Sequence, residues 1–229
     1  MDFNEFGDTY EQAVQEALPT RHVNAEVFAR TKAAHLIALA ERRLGRLEER
    51  RVLDVGCGVG MTERFLAGRF ASIDGVDTAD ALVREAARTN PDVAYRSYDG
   101  VRLPYEDDAF DVTFAICVLH HVDPPGREHV VREMARVTRA GGIVVIFEHN
   151  PFNPLTRGVV RNCAFDVGVI LLRLRETTTL LERCGLPIAE RRFITFLPFS
   201  GRIPMLVEGA LRRVPMGAQY YAAGRKASP

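Results

Sequence analysis

Three histidines of this sequence stand where an imidazole could do proton chemistry. His120 and His121 follow an apolar run that predicts a strand, and His149 follows a second such run directly after Glu148. An imidazole titrates near neutral pH and can take a proton from a hydroxyl group. Because neighbouring residues at a strand end point apart, we expect one of His120 and His121 to face a ligand, and Glu148 to orient His149 or to bind a hydroxyl or amine. Each histidine could instead be a helix-capping or loop residue.

Residues 51–61 form a second chemical feature. Their apolar part predicts a strand, which is followed by three glycines at alternate positions, Gly56, Gly58 and Gly60, and residues 62–66 predict the start of a helix. Glycine reaches backbone angles that other residues avoid and lets a ligand approach the main chain. The pattern is not a dinucleotide fingerprint, because Met61 stands where the third glycine belongs, and a Walker ending is missing. A plain glycine turn is the alternative.

The order of an acid and three glycines after a strand, Asp54-x-Gly56-x-Gly58-x-Gly60, resembles the first motif of the class I S-adenosylmethionine-dependent methyltransferases. In that family this loop holds the methionine end of the cofactor. Residues 103–111 resemble the family's connection into the fourth strand, and the helix, Gly-Gly turn and apolar strand of residues 126–147 resemble its next unit. The resemblance covers residues 50–195 well and the two ends poorly.

The resemblance also implies roles for acids at two further strand ends. Asp77 lies 23 residues beyond Asp54, and one βαβ unit brings two such strand ends side by side, so Asp77 is expected to accept both ribose hydroxyls. Asp74 is the competitor if the register differs. In the family an acid at the third strand end, here Asp99, meets the adenine amino group. The residues that we assign to the cofactor are Asp54, Gly56, Cys57, Gly58, Gly60, Asp77, Thr78, Asp99, Gly100 and Cys117.

The implied reaction is methyl transfer from S-adenosyl-L-methionine, which leaves S-adenosyl-L-homocysteine. The available histidines favour oxygen as the acceptor, so we predict an O-methyltransferase of a small molecule with His120, His121, His149 and Glu148 as catalytic candidates. The alternatives are N- or C-methylation of a small metabolite and a non-catalytic S-adenosylmethionine-binding regulator, and a nicotinamide oxidoreductase is a third interpretation. The carboxylates do not cluster as a metal-dependent, catechol-type site requires, so no metal site is predicted.

Charge and composition limit the classes of molecule that we expect the protein to bind. Lys+Arg and Asp+Glu both number 30, and this balance argues against a general affinity for nucleic acid. Residues 151–229 carry 12 Lys/Arg against 5 Asp/Glu, which suggests an anionic small-molecule acceptor. The four cysteines are scattered and predict neither a disulfide scaffold nor a zinc site. With no leader-like start and no apolar run near the ~18 residues of a span, we expect a cytoplasmic protein without a transmembrane segment.

The expected fold is α/β, a Rossmann-like, seven-stranded, mostly parallel sheet with helices on both faces and an antiparallel last strand. Residues 1–45 are predicted as an N-terminal helical lid segment that includes an amphipathic helix over residues 24–44. Tyr10 is either a lid contact to the cofactor or a tyrosine packed on the domain surface. Residues 46–229 are predicted as the methyltransferase domain, with a helical insertion near 200–217 that could cap the cleft, form a homodimer contact or lie on a membrane.

Overall fold

A computed structural model describes residues 3–18, 24–196, 209–211 and 214–227. Within these residues seven strands form one sheet in the order β3-β2-β1-β4-β5-β7-β6. The strands are β1 Arg51–Val55, β2 Ser72–Asp77, β3 Ala94–Ser97, β4 Phe110–Ile116, β5 Thr138–His149, β6 Ile188–Ile194 and β7 Gln219–Arg225. β7 is antiparallel to its neighbours β5 and β6, whereas the other neighbouring pairs are parallel. The predicted fold class is confirmed.

Helices cover both faces of the sheet. They are α1 Tyr10–Ala17, α2 Ala25–Leu44, α3 Asp80–Thr89, α4 Pro124–Val137, α5 Pro154–Asn162 and α6 Leu174–Arg183. Successive strand residues face opposite sides: Val52 packs with Leu36 of α2 on one face, and Leu53 packs with Met134 of α4 on the other. The central strands therefore read as continuous apolar runs, as parallel strands buried on both faces do.

The N-terminal segment contains the helix that was expected. α2 begins after Asn24, whose side-chain oxygen accepts a hydrogen bond from the Glu26 N–H at 2.8 Å, and it ends before Gly45. Before α2 come a 3-10 helix, Phe3–Thr9, and α1. No helix of the described residues is both long and apolar enough to cross a membrane. The lid role of this segment stays a prediction.

Two expectations about the glycines were wrong. The loop at residues 56–60 is followed by a 3-10 turn, Glu63–Phe65, and not by an α-helix, because the chain turns at Gly68 in the left-handed conformation (φ 73°) and enters β2 at Ser72. Gly141 and Gly142 do not form the expected turn between a helix and a strand. α4 ends at Val137, and β5 begins with the next residue and runs through both glycines.

The chain after β5 also differs from the prediction. The polar, proline-rich composition of residues 148–157 is typical of a loop, but α5 begins at Pro154, where proline suits the first helical turn. Asn153 caps this helix by accepting a hydrogen bond from the Thr156 N–H at 3.0 Å. Of the insertion predicted near 200–217, residues 209–211 are helical, and most of the rest lies outside the described residues.

Candidate active site

A cavity of about 390 Å³ lies at the carboxyl ends of β1, β4 and β5, between the residue 56–60 glycine loop and helices α1, α2 and α5. Its volume is within the usual range for small-molecule sites. The structure brings eight of the predicted site residues to its wall: Asp54, Gly56, Cys57, Gly58, Cys117, His120, His121 and His149. Open α/β sheets bind ligands at this edge.

The other predicted site residues do not line the cavity. Glu148 is fully buried behind it, Asp77 lies behind the glycine loop, and Gly60 packs towards Asn90 and Tyr95. Gly100 (φ 76°) is half-buried, and Thr78 and Asp99 are exposed. The predicted site residues that lie outside the cavity wall are therefore Gly60, Asp77, Thr78, Asp99, Gly100 and Glu148.

The glycine loop has the conformation that only glycine adopts readily. Gly56, Gly58 and Gly60 have φ values of 79°, 54° and 74°, in the left-handed region that side chains disfavour. A Cβ on Gly56 would lie 2.4 Å from Cγ2 of Val118. The loop is fixed to β2, because the Gly56 N–H donates to the carbonyl of Val76 at 2.7 Å.

Asp77 ties the glycine loop to the start of α3. One carboxylate oxygen accepts from the Gly58 N–H at 2.9 Å, and the other accepts from the Ala79 N–H at 3.0 Å. Asp77, and not Thr78, therefore satisfies the amide at the start of this helix. Asp74 lies inside β2, paired in register with Leu53, so the strand ends where the sequence predicted. Each Asp77 oxygen keeps a second lone pair, and the ribose role stays a prediction.

Asp99 is occupied by its own turn. One carboxylate oxygen accepts from the N–H groups of Val101 and Arg102 at 2.8 and 3.0 Å, and these bonds lower the pKa of Asp99. The side chain is exposed and does not face the cavity. Its contact with adenine stays a prediction.

Two carboxyl groups are buried beneath the loop. Oδ1 of Asp54 has no hydrogen-bond partner among the described residues, whereas the Tyr95 hydroxyl lies close enough to Glu63 to lower its pKa in part. Burial, and next the negative charge of Glu63, raise the pKa of Asp54, and burial raises the pKa of Glu63 to about 7. Because an unpaired buried carboxylate is costly, the Asp54 oxygen would be stabilised by a cationic group beside it.

Lys32 is a site residue that the sequence analysis missed. It lies on α2, is 9% exposed and lines the cavity, and no salt bridge joins its ammonium group to another described residue. Its charge partly offsets the raised pKa of Asp54. Lys32 stands within the buried stripe of α2, between Ala29 and Leu36, and a lysine at such a position was the available signal.

The buried Glu63 predicts a specific dependence of stability on pH. The folded chain holds the Glu63 proton up to about pH 7, whereas an unfolded chain releases it near the ordinary glutamate value of about 4.3. Its contribution to the free energy of unfolding therefore falls as pH rises through this window, by about 1 kcal/mol between pH 6 and pH 7, and levels off above. In ligand-free protein, Glu63→Gln should remove this component from thermal unfolding midpoints measured across pH 5–8.

The control for this measurement is Glu48→Gln, since Glu48 is exposed. Asp54, Tyr95 and Arg64 surround Glu63, so the informative quantity is the difference between wild type and Glu63→Gln at each pH. A difference that is constant across the range would contradict the assignment.

Glu148 holds His120 and does not orient His149. Nδ1 of His120 donates to Glu148 Oε2 at 2.6 Å, and Glu148 Oε1 accepts from the Leu119 N–H at 2.9 Å. Burial alone would lower the pKa of His120, but the charges of Glu148 and Asp166 raise it to about 9. Of the two alternatives for Glu148, orienting His149 does not hold, because the alternation of β5 sends these neighbours to opposite faces, and binding of an acceptor hydroxyl or amine stays a prediction.

His120 and His121 both face the cavity, contrary to the expectation that they would point apart. The chain leaves β4 at Cys117, which has a φ of 57°, and residues Leu119–His121 form a 3-10 turn. Their ring centroids lie 4.2 Å apart, and both Nε2 atoms approach Asp166. Burial, and next the charge on His120, lower the pKa of His121 to about 4.

His149 ends β5 and reaches the same cavity from the opposite face of the strand. Burial, and next the charge on His120, lower its pKa to about 4, so the ring is neutral. Nδ1 of His149 has no hydrogen-bond partner in the described part of the chain. Its ring centroid lies 5.3 Å from that of His120.

The loop after α5 supplies two residues that the sequence gave no reason to select. Phe165 stacks on Tyr10 with ring centroids 4.8 Å apart and planes 4° apart. Tyr10 therefore lies in the cavity wall, as the lid hypothesis requires, and not on the outer surface. Asp166 is 6% exposed, and its Oδ1 lies 3.3 Å from Nε2 of His121 and 3.5 Å from Nε2 of His120.

Comparison with known proteins identifies the family. Residues 53–146 match the family described as "Methyltransferase domain". The chain is 36% identical over 187 residues to a ubiquinone biosynthesis O-methyltransferase of Paracidovorax citrulli, covering 79% of this chain and 74% of that protein. It is 31% identical over 207 residues to the methyltransferase GfsG of Streptomyces halstedii, covering 81% of this chain and 74% of GfsG. The chain is a class I S-adenosylmethionine-dependent methyltransferase.

A solved structure shares the fold of this methyltransferase. Magnesium protoporphyrin IX methyltransferase from Synechocystis, with bound S-adenosylhomocysteine, has a TM-score of 0.68 at 15% identity and covers 98% of this chain and 96% of its own. The methyl donor of the chain is S-adenosylmethionine. Its site fits such a group: the orphaned Asp54 oxygen and the Lys32 ammonium suit the ammonium and carboxylate of an amino acid, and the glycine loop allows close approach. Several other curated relatives match over less than half of their length.

Proposed function

We propose that this methyltransferase methylates a hydroxyl oxygen of a small molecule and that His149 accepts the hydroxyl proton. The observation that carries the proposal is the state of the three cavity histidines. Carboxylates approach the rings of His120 and His121 at 2.6 to 3.5 Å, whereas His149 has no carboxylate partner among the described residues. His149 lines the cavity, and its lowered pKa leaves the imidazole neutral, which suits a general base.

Methyl transfer to a hydroxyl needs a methyl donor, an aligned acceptor oxygen and a group that takes the hydroxyl proton. Bound S-adenosylmethionine supplies an electrophilic methyl group on a sulfonium. The acceptor oxygen must lie about 3 Å from the methyl carbon and in line with its bond to sulfur. As the oxygen–carbon bond forms and the carbon–sulfur bond breaks, the hydroxyl proton passes to His149. Asp54 and Lys32 fix the donor, and Tyr10 and Phe165 close the cavity against water.

The size and partial cover of the cavity support a small acceptor. α1 and the Tyr10–Phe165 stack cover it, so a macromolecular substrate would have to displace packed aromatic rings. The Paracidovorax relative is a ubiquinone biosynthesis O-methyltransferase, and this similarity favours a hydroxyl acceptor here. Among the described residues of the cavity wall Lys32 is the one Lys or Arg, and it is assigned here to the carboxylate of the methyl donor, so an anionic acceptor would have to pair with the charged His120.

The test uses S-adenosylmethionine with a carbon-13 methyl group, a fractionated pool of bacterial metabolites and a panel of phenols, alcohols and amines. Formation of S-adenosylhomocysteine is followed by mass spectrometry, and the carbon chemical shift of the product separates methoxy, N-methyl and C-methyl groups. We expect a methoxy product. Labelled product with only N-methyl or C-methyl carbon would refute O-methylation, and cofactor binding without any transfer would favour the non-catalytic regulator.

A further inference from the structure

We infer that His120, His121 and Asp166 form a binding site for a divalent transition-metal ion at the edge of the methyl-transfer cavity. Each residue offers one ligand atom, and these atoms all lie within 4.8 Å of one another. The sequence predicted no metal site, because Asp166 lies in a loop and is distant in sequence from the histidines. The inference concerns ion binding and does not require the proposed acceptor chemistry.

The spacing of the ligand atoms fits a four-coordinate ion. Oδ1 of Asp166 lies 3.3 Å from Nε2 of His121 and 3.5 Å from Nε2 of His120. An ion with tetrahedral bonds of about 2.0–2.1 Å holds neighbouring ligand atoms about 3.3–3.4 Å apart. Two of the three separations therefore match a tetrahedral ion, and the ligand atoms of the two histidines lie within 4.8 Å of each other.

The carboxylate of Asp166 is buried between the two imidazoles. Its Oδ1 lies 3.3 Å and 3.5 Å from their Nε2 atoms without a well-formed hydrogen bond, and in the ion-free chain the positive charge on His120 balances it. Buried polar atoms in native proteins are nearly always satisfied. A cation held between this oxygen and the two imidazoles would satisfy it.

Glu148 prepares His120 to be a ligand. It accepts the Nδ1–H of His120 at 2.6 Å and is itself fixed by the Leu119 N–H at 2.9 Å. Metal-binding histidines commonly donate their other ring N–H to a carboxylate, which sets the tautomer and the ring orientation. Nε2 of His120 is then the coordinating atom, and Glu148 acts as a positioning residue.

The chemical types of the three ligand groups favour certain metal ions. Two imidazoles and one carboxylate suit Zn²⁺ or Fe²⁺, whereas Mg²⁺ and Ca²⁺ prefer oxygen ligands. Three protein ligands leave a coordination position open, and His120 and His121 line the cavity. If the proposed function holds, an acceptor hydroxyl bound at that position would lose its proton to His149 more readily.

The test titrates the chelator-treated full-length protein with Zn²⁺ by calorimetry. We expect one ion per chain. Asp166→Asn should weaken binding by roughly 100-fold or more, and Glu148→Gln by about 10–100-fold. His129→Asn is the matched control, because His129 is exposed on α4 and contacts the carbonyl of Val101. Mg²⁺ in excess should not displace the Zn²⁺.

Further measurements separate this site from adventitious binding. Titration with Co²⁺ reports the ligands by absorption, and a cobalt–thiolate charge-transfer band would show cysteine ligation and contradict the proposal. Each variant should bind S-adenosylhomocysteine as wild type does, which shows that it is folded. No Zn²⁺ bound by wild type, or equal affinity in wild type and Asp166→Asn, would overturn the inference. Either result would leave O-methylation intact if the carbon-13 product is a methoxy group.

Discussion

Replacing His149 by asparagine is expected to lower kcat by about 10²–10⁴, the usual contribution of a positioned general base, without changing the affinity for S-adenosylhomocysteine. The substitution should not disturb neighbouring groups, because Nδ1 of His149 has no hydrogen-bond partner among the described residues. Removing the imidazole therefore leaves no hydrogen-bond partner of Nδ1 unpaired. The measurement is steady-state turnover of the acceptor identified by the carbon-13 assay, with cofactor affinity measured by calorimetry.

His129→Asn is the control, because His129 lies outside the cavity on α4 and should keep wild-type turnover. His121→Asn provides the comparison within the site. Nearly full activity in His149→Asn together with loss of turnover in His121→Asn would transfer the base role to His121, and the assignment made here would be wrong.

The sheet and the glycine loop could be predicted because their signals are local. Apolar runs marked the central strands, and Gly56, Gly58 and Gly60 stand at positions that require a positive φ. The position of Asp77 at the end of β2 was predicted from the length of one βαβ unit. All of these features depend on short stretches of chain, and the structure reproduces their positions.

The histidines show where a correct rule was applied to the wrong residues. Alternation was expected to separate His120 from His121, but these two lie in a 3-10 turn, in which alternation does not hold. Glu148 and His149 do lie in a strand, and alternation separates them. Which rule applies depends on where β4 ends, and sequence patterns fix element ends poorly.

Lys32 and Asp166 illustrate two kinds of missed residue. Lys32 was visible in principle, as a charge within the buried stripe of α2. Asp166 carried no comparable signal, because it follows α5 in a loop without periodic structure and meets the histidines only through the tertiary fold. Contacts between a loop and a distant turn are set by packing of the whole domain, which short-range patterns do not report.

Asp77→Asn is expected to weaken the binding of S-adenosylhomocysteine by about 100-fold or more and to lower the stability of the ligand-free chain. The two carboxylate oxygens of Asp77 accept one hydrogen bond each, from the Gly58 N–H and from the Ala79 N–H. Asparagine has only one acceptor oxygen, so its NH₂ group would face the second N–H donor. If Asp77 has the predicted ribose role, loss of two ribose hydrogen bonds, each worth about 1.5 kcal/mol with a charged acceptor, gives a change in affinity of this size.

Two exposed acids make the matched controls for Asp77→Asn. Asp92→Asn changes a surface acid between α3 and β3 and should leave both properties unchanged. Asp99→Asn should weaken binding less than Asp77→Asn, because its carboxylate already accepts two amides of its own turn and is exposed to water. Calorimetry with S-adenosylhomocysteine measures affinity, and thermal unfolding without ligand measures stability. Because the two readouts are independent, a variant of Asp77 that loses stability but keeps wild-type affinity would show that this carboxylate only braces the loop and does not contact the ribose.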